Sequence, residues 1–461
     1  MLKNSIIENV LTTALEQYAD FGEIYVEQTQ KNTIAMTNGI VDTALSGIDK
    51  GAGIRLFYGN QAVYAYTNDL SEKNLIEITK KASLAMKENH NAKEVFDFTK
   101  PFHTNYNKIQ KMPNTIPKKQ KIEVMKGASS AAFLYDTLIS QTRLGYQDIT
   151  QSVLIANTKG VLAKDERVRS RMTVEAIASS QTEKQSGFFG PGASMGFELF
   201  EKIDMEQVAR NASRIAVTML KADVCPRKKM TVVIENGFGG VIFHEACGHS
   251  LEATAVARNA SVFAGKLGQK IASSIVTAVD DGTIENAWGT TNIDDEGIPT
   301  QKNILIENGI LKSYLVDTLN GQKMNMFSTG SARRESYKFA PTSRMTNTYI
   351  AAGNTKPADI ISDTEYGLYA KCMGGGSVDP ATGVFNFAVL EGYMIRNGKI
   401  AEPVRGATLI GKGDEILLRI DRVGNNLKSA QGMCGSISGS IPTNVGQPMI
   451  RVSEITVGGR G

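Results

Sequence analysis

Histidine and cysteine are scarce in this 461-residue chain, with four of each. The cysteines (Cys225, Cys247, Cys372 and Cys434) are widely scattered with no paired spacing, which argues against a disulfide framework. Long apolar runs are missing too, and no stretch approaches the length and apolarity of a membrane span. The first twenty residues, MLKNSIIENVLTTALEQYAD, interleave apolar positions with Asn, Glu, Thr and Gln. They read as an amphipathic helix and not as a signal peptide, which needs a continuous apolar core. Neither sign of charge dominates: 51 basic residues face 47 acidic ones, for a net charge of +4. That balance argues against nucleic acid or an anionic membrane as a partner. These absences together describe a cytoplasmic chain.

The length exceeds what one compact core accommodates, and the 44 glycines fit a fold with many turns and bulges. Residues 4–19 have helical apolar spacing. From Glu23 to Tyr66 the period switches to two, broken by Asn38-Gly39 and Gly59-Asn60, so a meander of antiparallel strands is expected. Ser71 caps a helix to about Lys87. Residues 91–118 are polar, carry Pro101, Pro113 and Pro117, and read as a linker or excursion; His90 and His103 at or within it receive no role. A helix over 118–135, strands over 139–149, 152–157 and 167–178, and a helix over 201–221 complete an N-terminal α+β domain, residues 1–222. Cys225-Pro226-Arg227-Lys228-Lys229 marks a junction. Beyond it, residues 223–461 are expected to form a β-rich domain, with hairpins turned by Asn308-Gly309 and Asn397-Gly398. Gly374-Gly375-Gly376 and Gly432-Met433-Cys434-Gly435 read as loops. The triplet lacks a following Lys-Ser/Thr and helix, so it is not a nucleotide site.

At the junction lies Phe243-His244-Glu245-Ala246-Cys247-Gly248-His249-Ser250, which contains half of the chain's histidines. Imidazole is the commonest protein ligand for a transition metal, and a carboxylate beside it suits a hydrolytic base. The i, i+5 spacing is awkward, because a regular helix turns His249 about 140° away from His244. A one-turn π-bulge restores a shared face; alternatively, Gly248 loosens the last turn and lets His249 reach in. Two histidines near a glutamate also make an ordinary hydrogen-bonded patch at a helix end. A third ligand could be any Asp, Glu or Cys brought near by folding. Cys434 is favoured, since its glycine neighbours let the backbone approach closely. Cys247 reads as a small core residue.

HEACGHSLEA, VDDGTI, DDEGIPTQKNILIENGILKSYLVD, STGSARRESY, RMTNTYI, GGGSVDPATGVFNFA, VRGATLIGKG and GMCG…VGQP occur in that order. Together they resemble the TldD branch of the TldD/PmbA metallopeptidases, densely from about residue 230 to the end and more loosely before it. The resemblance implies zinc held by His244, His249 and Cys434, with Glu245 as general base. It implies a peptidase acting on unfolded or flexible peptides and on leader peptides. It also implies a dimer, either of two copies or with a TldE-like subunit that lacks the histidine motif. One departure is visible. Where similar proteins carry a charged segment after Gly-Met-Cys-Gly, this chain has Ser436-Ile437-Ser438-Gly439.

A thiolate ligand donates more charge than a third imidazole, so the metal acidifies water less and Glu245 carries more of the work. Arg333, Arg334, Tyr337 and Arg344 are available donors for an oxyanion but read as surface ion-pair or interface groups. An extended peptide is expected to add its backbone to a sheet edge. The competing reading is a non-hydrolytic peptide-binding or maturation subunit with a structural metal. A structural site closes four ligands and needs no adjacent base, so the intact Glu245 favours the enzyme.

Overall fold

Long antiparallel strands shape the first half of the chain. In the computed structural model, which describes residues 2–17, 19–85 and 96–459, Phe21–Thr37, Ile40–Tyr58, Gln61–Thr67, Ile139–Asn157, Leu162–Ser179 and Lys184–Phe189 form one antiparallel sheet, with the short Gly192–Ala193 strand at its side. The Asn38-Gly39 turn has both residues at positive φ (52° and 78°), as a tight two-residue hairpin requires. The stretches expected as two strands over 139–157 are one long strand, because its neighbours pair with it without a break in the middle.

Even-numbered apolar residues of this sheet, such as Ile24, Ile34, Leu144 and Leu154, share one face. Four helices cover it: Asn4–Gln17 and Glu72–Leu84 over one half, Lys118–Phe133 and Met205–Leu220 over the other. The expected end of the second helix near Lys87, and His90, lie outside the described residues. The opposite face carries Glu23, Glu27, Arg55, Asp165 and Arg167, all buried. They pair with one another and with residues of the second half of the chain. Arg55 reaches Glu23 at 2.8 Å and Glu296 at 2.6 Å, Arg334 reaches Glu23 at 2.8 Å, and Arg167 reaches Asp295 at 2.6 Å. The excursion before residue 118 is docked where it is described: Tyr106 N–H donates to Asn292 and Lys111 N–H donates to Glu198.

The C-terminal half is β-rich. Tyr366–Val378, Lys228–Ile234, Ile450–Gly459, Ala407–Lys412 and Val384–Arg396 pair in a closed ring, since the first strand also pairs with the last. A second, six-stranded sheet runs Ile310–Leu311, Lys302–Glu307, Ala278–Asp281, Asn347–Ile350, Gly439–Gln447 and Lys428–Ser436. One apolar core joins the two and includes Phe243, Ala246 and Cys247 of the motif. The architecture is therefore α+β, with antiparallel strands and helices first and a β-rich unit after.

Two expectations fail here. Residues 374–376 are not a loop; they lie within Tyr366–Val378, at a bulge where the register shifts between Met373 and Gly376. Residues 432–435 likewise lie in the Lys428–Ser436 strand. Ladder pairing outweighs glycine's entropic preference for turns, and at Gly376 a side chain would strike Asn386 O at 2.1 Å.

Candidate metal centre

Asn236-Gly237 ends the barrel strand Lys228–Ile234, and Gly237 at φ +71° turns the chain into a helix of changing pitch. The winding begins tight over Gly237–Gly240, is α-helical over Val241–Phe243, widens to a π turn over His244–Gly248 and tightens again over His249–Leu251. The His249 N–H donates to the His244 carbonyl five residues back. That bond puts both imidazoles on one side, with ring centroids 5.0 Å apart and planes at 82°. Gly248 does not loosen anything; its φ of −52° is ordinarily helical. Its missing side chain leaves room for Met345, whose Sδ would lie 2.2 Å from a Cβ there.

Cys434 arrives from the far end of the chain, on the edge strand of the six-stranded sheet, opposite Ile441. Its Sγ lies 3.2 Å from His244 Nε2 and 3.2 Å from His249 Nε2. Among the described residues this trio is the one group with three metal-ligating atoms mutually close, all within 4.8 Å. His244 and Cys434 are buried and His249 is half-buried. Burial pushes the Cys434 thiol up, but the two imidazoles more than reverse this and take it down to about 3. Burial pushes His249 down, and the Glu252 carboxylate with Cys434 drives it well above the ordinary histidine value. Glu245, half-buried, has its Oε2 3.7 Å from His249 Nε2, and burial raises its carboxyl.

Two imidazole nitrogens and a thiolate converging on one point make a donor set for a divalent transition-metal ion. Tetrahedral coordination at usual bond lengths separates nitrogen from sulfur by about 3.5 Å, and the chain already holds these atoms within a few tenths of that. An open cleft of about 650 Å³ borders His249 and Cys434. Glu245, His249, Cys434, Gly376, Val378 and Met433 are among the residues that line it.

Comparison with known families assigns three adjoining segments to one architecture. Residues 22–86 match PmbA/TldA metallopeptidase domain 1, residues 111–220 the central domain and residues 227–459 the C-terminal domain. The chain belongs to the TldD/PmbA metallopeptidase family. A metalloprotease TldD homolog of Haemophilus influenzae is 35% identical over 99% of this chain and 97% of its own length. A metalloprotease of Methanocaldococcus jannaschii is 31% identical over 98% of this chain and 99% of its own. TldE of Thermococcus kodakarensis shares the fold at a TM-score of 0.77 and 19% identity, over 98% of this chain and 100% of that one. The metalloprotease relatives imply a metal, and the His244, His249 and Cys434 group is able to hold one.

Arg333, Arg334, Tyr337 and Arg344, read from sequence as surface or interface groups, are all buried. The second half of the chain folds back on the polar face of the first sheet, and that face supplies the partners of Arg334 and Tyr337. Glu252 and Ser438 were missed. Glu252 sits 3.1 Å from His249 Nδ1, and its place three residues after His249 was the available signal. Ser438 is buried through a contact with Arg344 that sequence spacing does not reveal. Among the described residues no helix is long and apolar enough to cross a membrane.

Proposed function

We propose that this chain is a zinc-dependent peptidase. The observation that carries the reading is the π turn, which unites two imidazoles with the Cys434 thiolate beside Glu245 in an open cleft. His244, His249 and Cys434 hold the ion; three protein ligands and one open position are the pattern of catalytic zinc. A bound ion supplies Lewis acidity there, acidifying water and polarising the scissile carbonyl. Glu245 takes a proton from the attacking water and returns it to the leaving amine. Its raised affinity for protons suits both halves of that exchange. Three donors and an adjacent carboxylate favour this over a closed structural site.

Unfolded or flexible peptides are the substrates in this reading. Two strand edges border the cleft. The carbonyls of Gly432 and Cys434 already accept from Trp288 Nε1 at 2.9 Å and Arg344 Nη2 at 2.6 Å, which blunts one edge. Beyond Ala370 the Tyr366–Val378 strand keeps its pairing to Val384–Arg396 alone among the described strands. We place the backbone of an extended peptide along that edge, near Gly376 and Val378. The division at residues 222 and 223 separates a scaffold from the unit that carries the metal. All four cysteines are free, which supports a reducing, cytoplasmic setting. The TldE neighbour supports assembly as a dimer, with a second copy or a TldE-like chain.

The test is Glu245→Gln. Hydrolysis of an unstructured peptide should fall about 10²- to 10⁴-fold, while the purified variant keeps one zinc per chain. Native-rate cleavage by this variant, or a wild-type chain without zinc, rejects the reading.

A further inference from the structure

The two segments that meet at the centre are 185 residues apart in sequence, from His249 to Cys434, and one side chain spans them. Arg344 is fully buried (0% exposed). Its Nη2 donates to the Cys434 carbonyl at 2.6 Å, and its Nη1 donates to Ser438 Oγ at 2.9 Å and to the Gly439 carbonyl at 3.2 Å. The guanidinium thus grips the turn that follows Cys434, Ser436-Ile437-Ser438-Gly439. Its remaining Nε faces Glu252 Oε1 at 3.7 Å. The same carboxylate oxygen lies 3.1 Å from His249 Nδ1. Beyond these two contacts, Arg344 Nε and Glu252 Oε1 have no hydrogen-bond partner among the described residues. A line of contacts therefore runs from the Cys434 carbonyl through Arg344 and Glu252 to His249.

Burying a guanidinium and a carboxylate costs desolvation, and an apolar pair of similar volume would fill the space at lower cost. Geometry gives the reason to keep them. A ligating histidine is oriented through the nitrogen that does not bind the metal, and a carboxylate is a frequent partner for it. A planar five-donor fork suits a turn that must present one sulfur at a set distance. Met345, next along the chain, packs against Gly248 of the π turn, so the backbone that carries Arg344 is itself referenced to the two histidines.

We propose that Arg344 and Glu252 are positioning residues of the metal centre, Arg344 setting the Cys434 arm and Glu252 orienting His249. Neither is a ligand and neither touches reacting atoms. The inference rests on His244, His249 and Cys434 being a metal centre, not on the hydrolysis itself.

The experiment uses the full chain with Arg344→Lys and Glu252→Gln, the latter nearly isosteric so that folding is retained. Metal-free proteins are titrated with Co²⁺ alone and with Zn²⁺ against a chromophoric chelator, and the Tm of each metal-free form is recorded. Each variant should bind metal about 10- to 100-fold more weakly, with a metal-induced rise in Tm smaller than that of wild type. The thiolate-to-cobalt charge-transfer band should shift in Arg344→Lys and stay in place in Glu252→Gln. The double variant should lose less than the product of the two single losses, because the pair acts as one unit. Wild-type metal affinity in both single variants overturns the proposal. So does a lowered metal-free Tm with an unchanged metal-induced rise, the mark of a merely structural role. A wild-type chain that binds metal through the trio yet cleaves no peptide rejects the peptidase reading and leaves this one standing; a chain that binds no metal removes both.

Discussion

Gly248→Ala probes the winding on which the centre depends. Backbone preference opposes any damage, since φ and ψ of −52° suit alanine, and alanine is favoured over glycine in a helix by about 1 kcal/mol. Packing decides the other way. A Cβ at this position meets Met345 Sδ at 2.2 Å and Cε at 3.0 Å. Ordinary contact requires the sulfur to retreat by roughly 1.5 Å. Met345 is fully buried, its carbonyl accepts from Arg333 Nη1 at 2.6 Å, and neighbouring Arg344 is tied to the Cys434 carbonyl. The thioether has little room and its backbone is pinned, so part of the strain passes to the turn. Overpacking of this kind costs about 1–3 kcal/mol, and the next residue along, His249, is displaced with the turn. The urea midpoint should fall accordingly, and Zn²⁺ affinity should drop by about tenfold or more, the result of ligand misplacement. Gly47→Ala is the control, because nothing lies within 4 Å of a Cβ there; it should change stability by less than about 0.5 kcal/mol. A Gly248→Ala protein with wild-type midpoint and wild-type metal affinity refutes the π-turn geometry.

Further outcomes follow from the same coordinates. In the metal-free chain at neutral pH, ultraviolet thiolate absorbance should correspond to one cysteine and vanish in Cys434→Ala. Cys434 is held down to about 3, while burial pushes Cys225 and Cys372 up to about 11 and Cys247 well above the ordinary thiol value. Absorbance that survives Cys434→Ala assigns the thiolate elsewhere. The Cys434 contribution to metal-free stability is complete above the ordinary thiol value of 9.0 and is lost as pH falls toward about 3. The contribution of His249, whose affinity for protons is raised, is complete below 6.5 and fades as pH rises beyond it. The difference between wild type and a His249→Ala/Cys434→Ala double variant should therefore grow from acid to about pH 6.5 and then flatten; a steady decline across that range contradicts the pairing. Glu23→Ala leaves Arg55 and Arg334 short of a buried carboxylate. It should cost about 3–5 kcal/mol, read in urea unfolding, and a wild-type midpoint would show that the polar interface is not dry.

The long meander, the hairpin turns and the order of helices and strands were legible because alternation and Asn-Gly pairs act locally. Asn38, Asn308 and Asn397 all take positive φ, each followed by a glycine at positive φ. The glycine-rich runs at 374–376 and 432–435 misled for the complementary reason. Their conformation is set by ladder partners from Val384–Arg396 and Gly439–Gln447, which lie outside any local window.

The sequence by itself determined the pair His244 and His249, the carboxylate between them, and Cys434 among glycines, along with the ordered series of motifs that marks the family. Only the tertiary structure decided that the turn widens by one residue, and only folding brought a sulfur 3.2 Å from both imidazoles. It also turned four residues read as surface groups into buried ones. The physical reason is range. Periodicity and turn chemistry depend on near neighbours, whereas the approach of Cys434 to the two imidazoles depends on two sheets packing on one core.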